Sequence, residues 1–481
     1  MGQTKTEAIT SKQTKTLPLV RLAGCVAVAG AFWIIPAPEG LQPAGWHALG
    51  VFVATIISFV LRPLPMGPMV LLGIITLAVT GTVDYKPLIA GYGDSTVWLV
   101  VAAFLIAGAV QRTGFGRRIA LALVRLLGAS TLGLGYAVCA AELVLGPCVP
   151  SNTARGGGIL SPVVDSLCAA LGSRPDHEPE RIGRFLVLTG AHANLITASM
   201  FLTGMAANPL VARAASDIFN VEFGWGTWAL GALVPGLLGL ALLPLLMRAL
   251  ARPSIDDVSA ARAQARADLE AMGPWTRGQK ITGGVFVLLV LLWSTKPLHG
   301  MSAGLVAWIG VAVLLLSGTE RWEDVTANAR AWDTLIWLGG LLTMANALKG
   351  AGVVAWFAAI MKSQVAGLGG VTVALAMALI YFFSMYGFSM FTAHISALVS
   401  AFFAVAAGAG APPMLMVALL AYLSCLCGCT TNYSTGPVII YFGLGYVKAQ
   451  RWFGTGFVVA LYHLGIWLTV GLGWWKLLGW W

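Results

Sequence analysis

The chain has 481 residues, 58% of them hydrophobic and only 10% charged, and its apolar runs repeatedly approach the ~20 residues a membrane helix needs. That composition excludes a water-soluble globular protein and defines an all-α polytopic membrane protein. The 29 Lys and Arg outnumber the 19 Asp and Glu, but they sit in loops between apolar runs, which points to positive-inside topology rather than to a nucleic-acid partner.

Residues 1–45 hold a polar tail, Met1 to Thr16, and a first helix at 17–35. The run ends in Pro36-Ala37-Pro38 with no small-residue cleavage site, so it reads as a retained helix rather than a signal peptide. A first repeat, 46–250, begins with helices at 46–62, 67–83 and 96–111 and a basic amphipathic stretch from Arg117 to Leu127. Within it, 132–171 sets two apolar arms around the polar run Pro150-Ser151-Asn152-Thr153-Ala154-Arg155-Gly156-Gly157-Gly158. Each arm is near or below spanning length, which predicts a re-entrant hairpin. Irregular backbone at that depth is tolerated only where something satisfies it. The next segment, 185–215, is interrupted at Thr203-Gly204 and Asn208-Pro209, which predicts a broken helix, and a span at 226–250 follows.

A hydrophilic connector occupies 251–280, where Ser254-Ile255-Asp256-Asp257 resembles a capping box and Gly273-Pro274 is a stop signal. The second repeat, 281–481, gives spans at 281–295, 301–317 and 334–348, a second hairpin at 372–407, a broken segment at 414–446 and a last span at 453–478. The whole amounts to about 11 transmembrane helices plus two re-entrant hairpins. Three matches tie the halves together: Asp94-Ser95-Thr96-Val97-Trp98-Leu99 with Asp333-Thr334-Leu335-Ile336-Trp337-Leu338, Gly81-Thr82 with Gly318-Thr319, and Ala107 to Val110 with Ala345 to Leu348. Counting on from Gly114 and Gly352 puts the second tip at Phe391-Thr392-Ala393-His394. With a cytoplasmic N-terminus, every Lys and Arg falls on the cytoplasmic side except Lys86, Arg213, Lys296, Lys349, Lys362, Lys476 and the tip residue Arg155. An odd number of spans per repeat makes the repeat inverted, the architecture of secondary transporters with a site near mid-membrane.

Four polar elements should converge there. They are Ser151, Asn152, Thr153 and Arg155 of the first tip, Thr203 and Asn208 of the first break, Thr392 and His394 of the second tip, and Thr430, Thr431, Asn432, Ser434 and Thr435 of the second break. Arg155 is the fixed charge among them, and Glu142 is the main carboxylate within a span, so a carboxylate-lined cation path is poorly supported. Hydroxyls, amides and half-helix N-termini suit a carboxylate, and an Arg adds a bidentate fork. Two such arrangements suggest a ligand with two acidic ends. His394 also has a packing reading, and His192 and His463 read as structural. The seven cysteines lie in apolar stretches, and the alternating Cys425, Cys427 and Cys429 have no His or carboxylate nearby, so no metal, disulfide or cofactor is expected. Ser389 and His394 lack an orienting acid and the G-x-S-x-G turn, which argues against a hydrolase.

The runs Pro150 to Arg155, Met200 to Pro209 and Thr430 to Pro437 together resemble the divalent anion/sodium symporter family, over nearly the whole chain, and most of all its exchanger branch. The resemblance implies a homodimer in a bacterial inner membrane, a fixed scaffold and an elevator-type transport domain carrying both hairpins. It implies exchange of di- or tricarboxylates such as succinate, malate, tartrate, citrate or 2-oxoglutarate. Sodium-coupled relatives carry Ser-Asn-Thr at both tips. Here the second tip departs, with Thr392-Ala393-His394 in place of that triplet, so the expectation is sodium-independent exchange; the alternative is a sodium-coupled dicarboxylate symporter.

Overall fold

The computed structural model describes residues 3–364 and 367–481, with side chains except at 3–17, 358 and 361–364. Residues 1–2 and the side chains of the tail and of Lys362 therefore lie outside the described set, while the backbone of the tail from Gln3 continues the first helix, Gln3–Ile34. The described chain is helical throughout, with no strand, only a single bridge between Arg174 and His177. Among the described residues, seven helices are long and apolar enough to cross a membrane. Shorter apolar helices stand beside them at Pro18–Ile34, Met66–Val79, Thr131–Leu145 and Ala303–Leu316.

The order of elements repeats. Met66–Val79 and Ala303–Leu316 each span 14 residues and end alike, the N–H of Thr82 meeting the Leu77 carbonyl at 3.1 Å and that of Thr319 the Leu314 carbonyl at 3.0 Å. Gly81 and Gly318 take left-handed backbone at these ends (φ 66° and 69°), and so do Gly114 and Gly352 (φ 70° and 76°) ahead of Phe115–Leu127 and Val353–Gln364. A side chain is strained there, so these glycines fix the chain reversals.

Both hairpins are present. Thr131–Leu145 leads through an irregular tip at 146–151 into a π-helical turn, Thr153–Leu160, and then Ser161–Ala170. Gly370–Ser384 leads through an irregular stretch at 388–390 into Phe391–Gly408. The 15-residue arm of the first hairpin measures ~22 Å, short of the ~30 Å hydrocarbon core, whereas the arms of the second, Gly370–Gly387 and Phe391–Gly408, are among the seven spanning-length helices. Both tips meet Gly183–Met200, which is buried continuously from Phe185 onward: Asn194 Nδ2 donates to the Asn152 carbonyl at 3.2 Å, and Phe391 and Leu195 close on Gly428 together. That helix packs against Thr131–Leu145, Trp225–Ala251, Pro413–Leu426 and Gly436–Gly443. We call this assembly the hairpin unit. A second group, the frame, forms where Ala329–Gly350 packs on Ser95–Arg112, Met66–Val79 and Pro43–Leu61, with Ala303–Leu316 against Ser95–Arg112.

Two details depart from the sequence reading. The connector helix starts at Ser259 rather than at Ser254, and the described capping box is Thr276 with Gln279. Asp257 instead accepts the Ser259 N–H at 2.9 Å, which holds its carboxyl below the usual range. In the second repeat, the helix matching Ser95–Arg112 begins a turn earlier, capped by Asn328 (Ala331 N–H, 3.2 Å), whereas Asp94 caps its own helix through Thr96 N–H at 2.8 Å. Asp333 therefore lies inside a helix, and Arg330 is carried with it.

Frame and hairpin unit are joined by a chain of ion pairs near the end of Ser95–Arg112 away from the connector. Arg213 on Asn208–Phe219 meets Asp94 at 3.0 Å and Asp217 at 3.1 Å. Lys349, in the last turn of Ala329–Gly350, meets Asp217 at 3.0 Å.

Candidate functional site

The first tip is built around a buried charge pair. Three successive glycines weaken the α-helical preference at 156–158 and let neighbours close in. A Cβ on Gly156 would lie 2.8 Å from Asn194 Nδ2, and one on Gly157 would lie 2.3 Å from Ile440 Cδ1. In the resulting π-turn Arg155 points back between the hairpin arms, where it is fully buried with Glu142 (Nε to Oε2, 2.6 Å). Its remaining N–H groups donate to the carbonyls of Val149 (2.8 Å) and Gly204 (3.2 Å) and to Thr197 Oγ1 (3.2 Å). Glu142 also accepts from Asn194 Nδ2 at 3.0 Å and Thr197 Oγ1 at 3.0 Å. This departs from the sequence reading, in which the Arg155 fork faced the ligand. The physical reason is Glu142, which takes that charge in the interior, where an unpaired guanidinium would be very costly.

The second tip shares the plan with different chemistry. The N–H of Arg155 donates to the Ser151 carbonyl at 2.9 Å, and that of His394 to the Met390 carbonyl at 3.1 Å. This register sets Met390-Phe391-Thr392 against Ser151-Asn152-Thr153, a correction of two residues to the sequence alignment of the tips. His394 is then the counterpart of Arg155. Its Nε2 meets the Tyr381 carbonyl at 3.1 Å and Ser384 Oγ at 2.8 Å, its ring lies between Tyr381 and Phe388, and no carboxylate is among its partners. A carbonyl only accepts, so the hydrogen sits on Nε2.

Ser151, Asn152, Thr153, Thr392 and Thr435 line one cavity of about 490 Å³, whose far wall belongs to the frame: Met66, Phe104, Arg330, Asp333, Thr334 and Trp337. Asn152 Nδ2 donates to Thr435 Oγ1 at 3.1 Å, so tip and second break share a wall. The other eight expected residues are not in these walls. Thr203 donates to the Pro147 carbonyl and accepts from Trp225 Nε1 at 2.9 Å. Asn208 stitches the first break by donating to the carbonyls of Ala198 (2.8 Å) and Phe201 (2.9 Å). Thr430 and Ser434 donate to the carbonyls of Cys427 (2.8 Å) and Gly428 (2.7 Å), Thr431 is buried without a hydrogen-bond partner for its hydroxyl, and Asn432 is half-buried. Arg155 and His394 complete the eight. Sequence reasoning missed the frame wall. Arg330 appeared only as a loop charge and Asp333 only as a repeat marker, although the match of Asp94–Leu99 with Asp333–Leu338 singled out that stretch.

A second cavity of about 650 Å³ adjoins the first, with Thr153 and Arg330 common to both. Its walls run from Gly157 and Gly158 to Asp268 and Met272 of the connector, rimmed by the exposed Arg112 and Arg117. The two spaces connect the tip to the connector end.

A helical membrane protein with paired hairpins whose hydroxyl and amide groups close a cavity beneath one open face is a secondary transporter in design. The family model for the sodium:sulfate symporter transmembrane region matches residues 16–481, so the chain belongs to the divalent anion/sodium symporter family and is a carboxylate transporter rather than an enzyme. It is 43% identical over 464 residues to YflS of Bacillus subtilis (strain 168), named for malate transport, covering 96% of this chain and 97% of that protein. It is 38% identical over 468 residues to the chloroplastic dicarboxylate transporter 1 of Arabidopsis thaliana, covering 96% and 83%. The YdaH transporter of Alcanivorax borkumensis shares the fold at 15% identity, with a TM-score of 0.60 over 82% of this chain and 88% of that one.

Proposed function

We propose that the protein exchanges dicarboxylates across a bacterial inner membrane without sodium, by an elevator-like passage of the hairpin unit along the frame. The observation that supports the reading is the Arg155 guanidinium, which occupies the Val149 and Gly204 carbonyls, acceptors that a free cation could otherwise use. A tethered cation replaces a travelling one. The pair with Glu142 is neutral overall, so a fixed charge does not by itself forbid return of the empty carrier. Unpaired polar groups supply the barrier instead. With substrate absent, Ser151 and Asn152 keep their bonds to the Ala154 N–H (3.1 Å) and to Thr435 Oγ1 (3.1 Å), and the remaining hydrogen-bonding capacity of Ser151, Asn152 and Thr153 would pass Phe104 and Trp337 unsatisfied. Each unsatisfied group disfavours passage by ~1–3 kcal/mol, so a few together slow it roughly a hundredfold or more. Substrate bound in the cavity removes that penalty in both directions, which favours exchange over one-way movement.

In this reading the N-terminus and connector are cytoplasmic, as the Lys and Arg distribution favours, and the protein works as a homodimer in lipid. Liposomes containing the purified protein and preloaded with succinate should take up labelled dicarboxylate rapidly in sodium-free choline buffer, while empty liposomes hardly do. Uptake that falls to background without sodium would instead favour sodium-coupled symport.

A further inference from the structure

The cavity under the first tip is asymmetric in a way the repeat conceals. On the hairpin side one end offers Ser151, Asn152 and Thr153, but the pseudo-equivalent end offers Met390 and Phe391, with Thr392 the polar group left. Phe391 is buried, and its ring packs so closely on Gly428 that a Cβ there would lie 2.4 Å from Cζ. The second tip therefore cannot hold a second carboxylate as the first tip holds one. Arg155 and His394, the basic groups of the tips, are turned into the hairpin interior with partners of their own.

One cation does face this space. Arg330 lines both cavities, is exposed, and has no hydrogen-bond or ion-pair partner among the described residues. Arg112 and Arg117, the other basic residues of the larger cavity, are paired with Glu320 and Asp268. Asp333, one turn beyond Arg330, is not within ion-pair distance of it. Its Oδ1 lies instead over Gly67, 2.8 Å from where a Cβ would stand.

We propose that Arg330, on the frame, takes the second carboxylate of a substrate whose first carboxylate is held by Ser151, Asn152 and Thr153. The proposal rests on the dicarboxylate reading above and deepens it: Arg330 makes this site select two acidic groups over one. A guanidinium offers a planar fork that fits a carboxylate bidentately, and partial exposure keeps its desolvation modest. Because Ala329–Gly350 packs on the frame, the contact exists in the state with the cavity open to the connector and is lost when the hairpin unit moves. Affinity for a dianion is thus higher from the connector side, and release from Arg330 is part of passage.

The test uses the full-length protein in succinate-loaded liposomes, comparing wild type, Arg330→Gln and Arg330→Lys, each shown by size exclusion and thermal melting to be folded. For labelled succinate, Arg330→Gln should raise KM by about tenfold or more, with kcat changed far less, and Arg330→Lys should recover part of the loss. Inhibition of that uptake by butyrate, which has a single carboxylate, should be the same in wild type and Arg330→Gln. An unchanged succinate KM, or equal weakening of succinate and butyrate, would overturn the role of Arg330 while leaving the transport reading intact. Failure of wild type to move any dicarboxylate would overturn that reading and this inference together.

Discussion

Arg155 and His394 show how one backbone position is used twice with different electrostatics. Each meets a group thirteen residues earlier, Glu142 Oε2 for Arg155 and the Tyr381 carbonyl for His394. A guanidinium is always charged and needs a counter-charge when buried, whereas a neutral imidazole needs only an acceptor. Replacing Glu142 by Gln leaves the charge of Arg155 uncompensated. A loss of ~3–5 kcal/mol is expected, seen as a lowered midpoint of thermal unfolding in detergent. The double change Glu142→Gln with Arg155→Met should recover part of it, because both charges are then gone; a double variant less stable than the single one would contradict this account. Glu142 stood out in the sequence as a carboxylate within a span, yet its partner was hidden. The pairing depends on a π-turn that reverses the direction of Arg155, and no spacing rule for α-helices puts residues 142 and 155 together.

The elements themselves were far more legible. The short arms of the first hairpin, Gly and Pro at the breaks, and left-handed glycines before Phe115–Leu127 and Val353–Gln364 all left marks in composition and length. What did not show was register. The repeat match of Asp333 with Asp94 placed the span at 334–348, but Asn328 caps the helix first, and the extra turn carries Arg330 into the wall. The second tip is two residues out of register in the sequence reading although Thr-Ala recurs at both tips, because the neighbours Met390, Phe391 and His394 do not resemble Ser151, Asn152 and Arg155. Close packing between elements gives a sharper test of the site. A Cβ on Gly436 would lie 2.3 Å from Thr153 Oγ1 and 3.1 Å from its Cβ, so Gly436→Ala must push Thr153 out of the cavity wall. KM for succinate should rise by about tenfold with little change in melting, as measured by initial exchange rates. An unaltered KM would remove Thr153 from the site.

At the scale of the whole molecule, the pairs Asp94–Arg213 and Asp217–Lys349 cross between Asn208–Phe219 and the frame, steadied by Arg213–Asp217 within that helix, and the proposed passage of the hairpin unit would require both to break. Half-exposed pairs contribute ~0.2–1 kcal/mol each, and salt screens them. Two such pairs, at the upper end of that range, are enough to shift a two-state population by roughly tenfold. Cysteine placed at Gly158 reads that population, because the position is exposed in the larger cavity, a Cβ there would meet its nearest neighbour at 3.5 Å, and all seven native cysteines are buried. Its reaction with a hydrophilic thiol reagent should slow severalfold when Arg213 is changed to Gln, and more gently as salt is raised. Equal rates in both backgrounds would show that the ion pairs do not weight the equilibrium. The consequence reaches beyond conformation. An exchanger of the proposed kind cannot alter the end point set by the gradients of its two solutes, but surface charges that park it facing one compartment would decide whose solute loads first. Two membranes with identical gradients and different ionic strengths would then reach the same balance at different speeds.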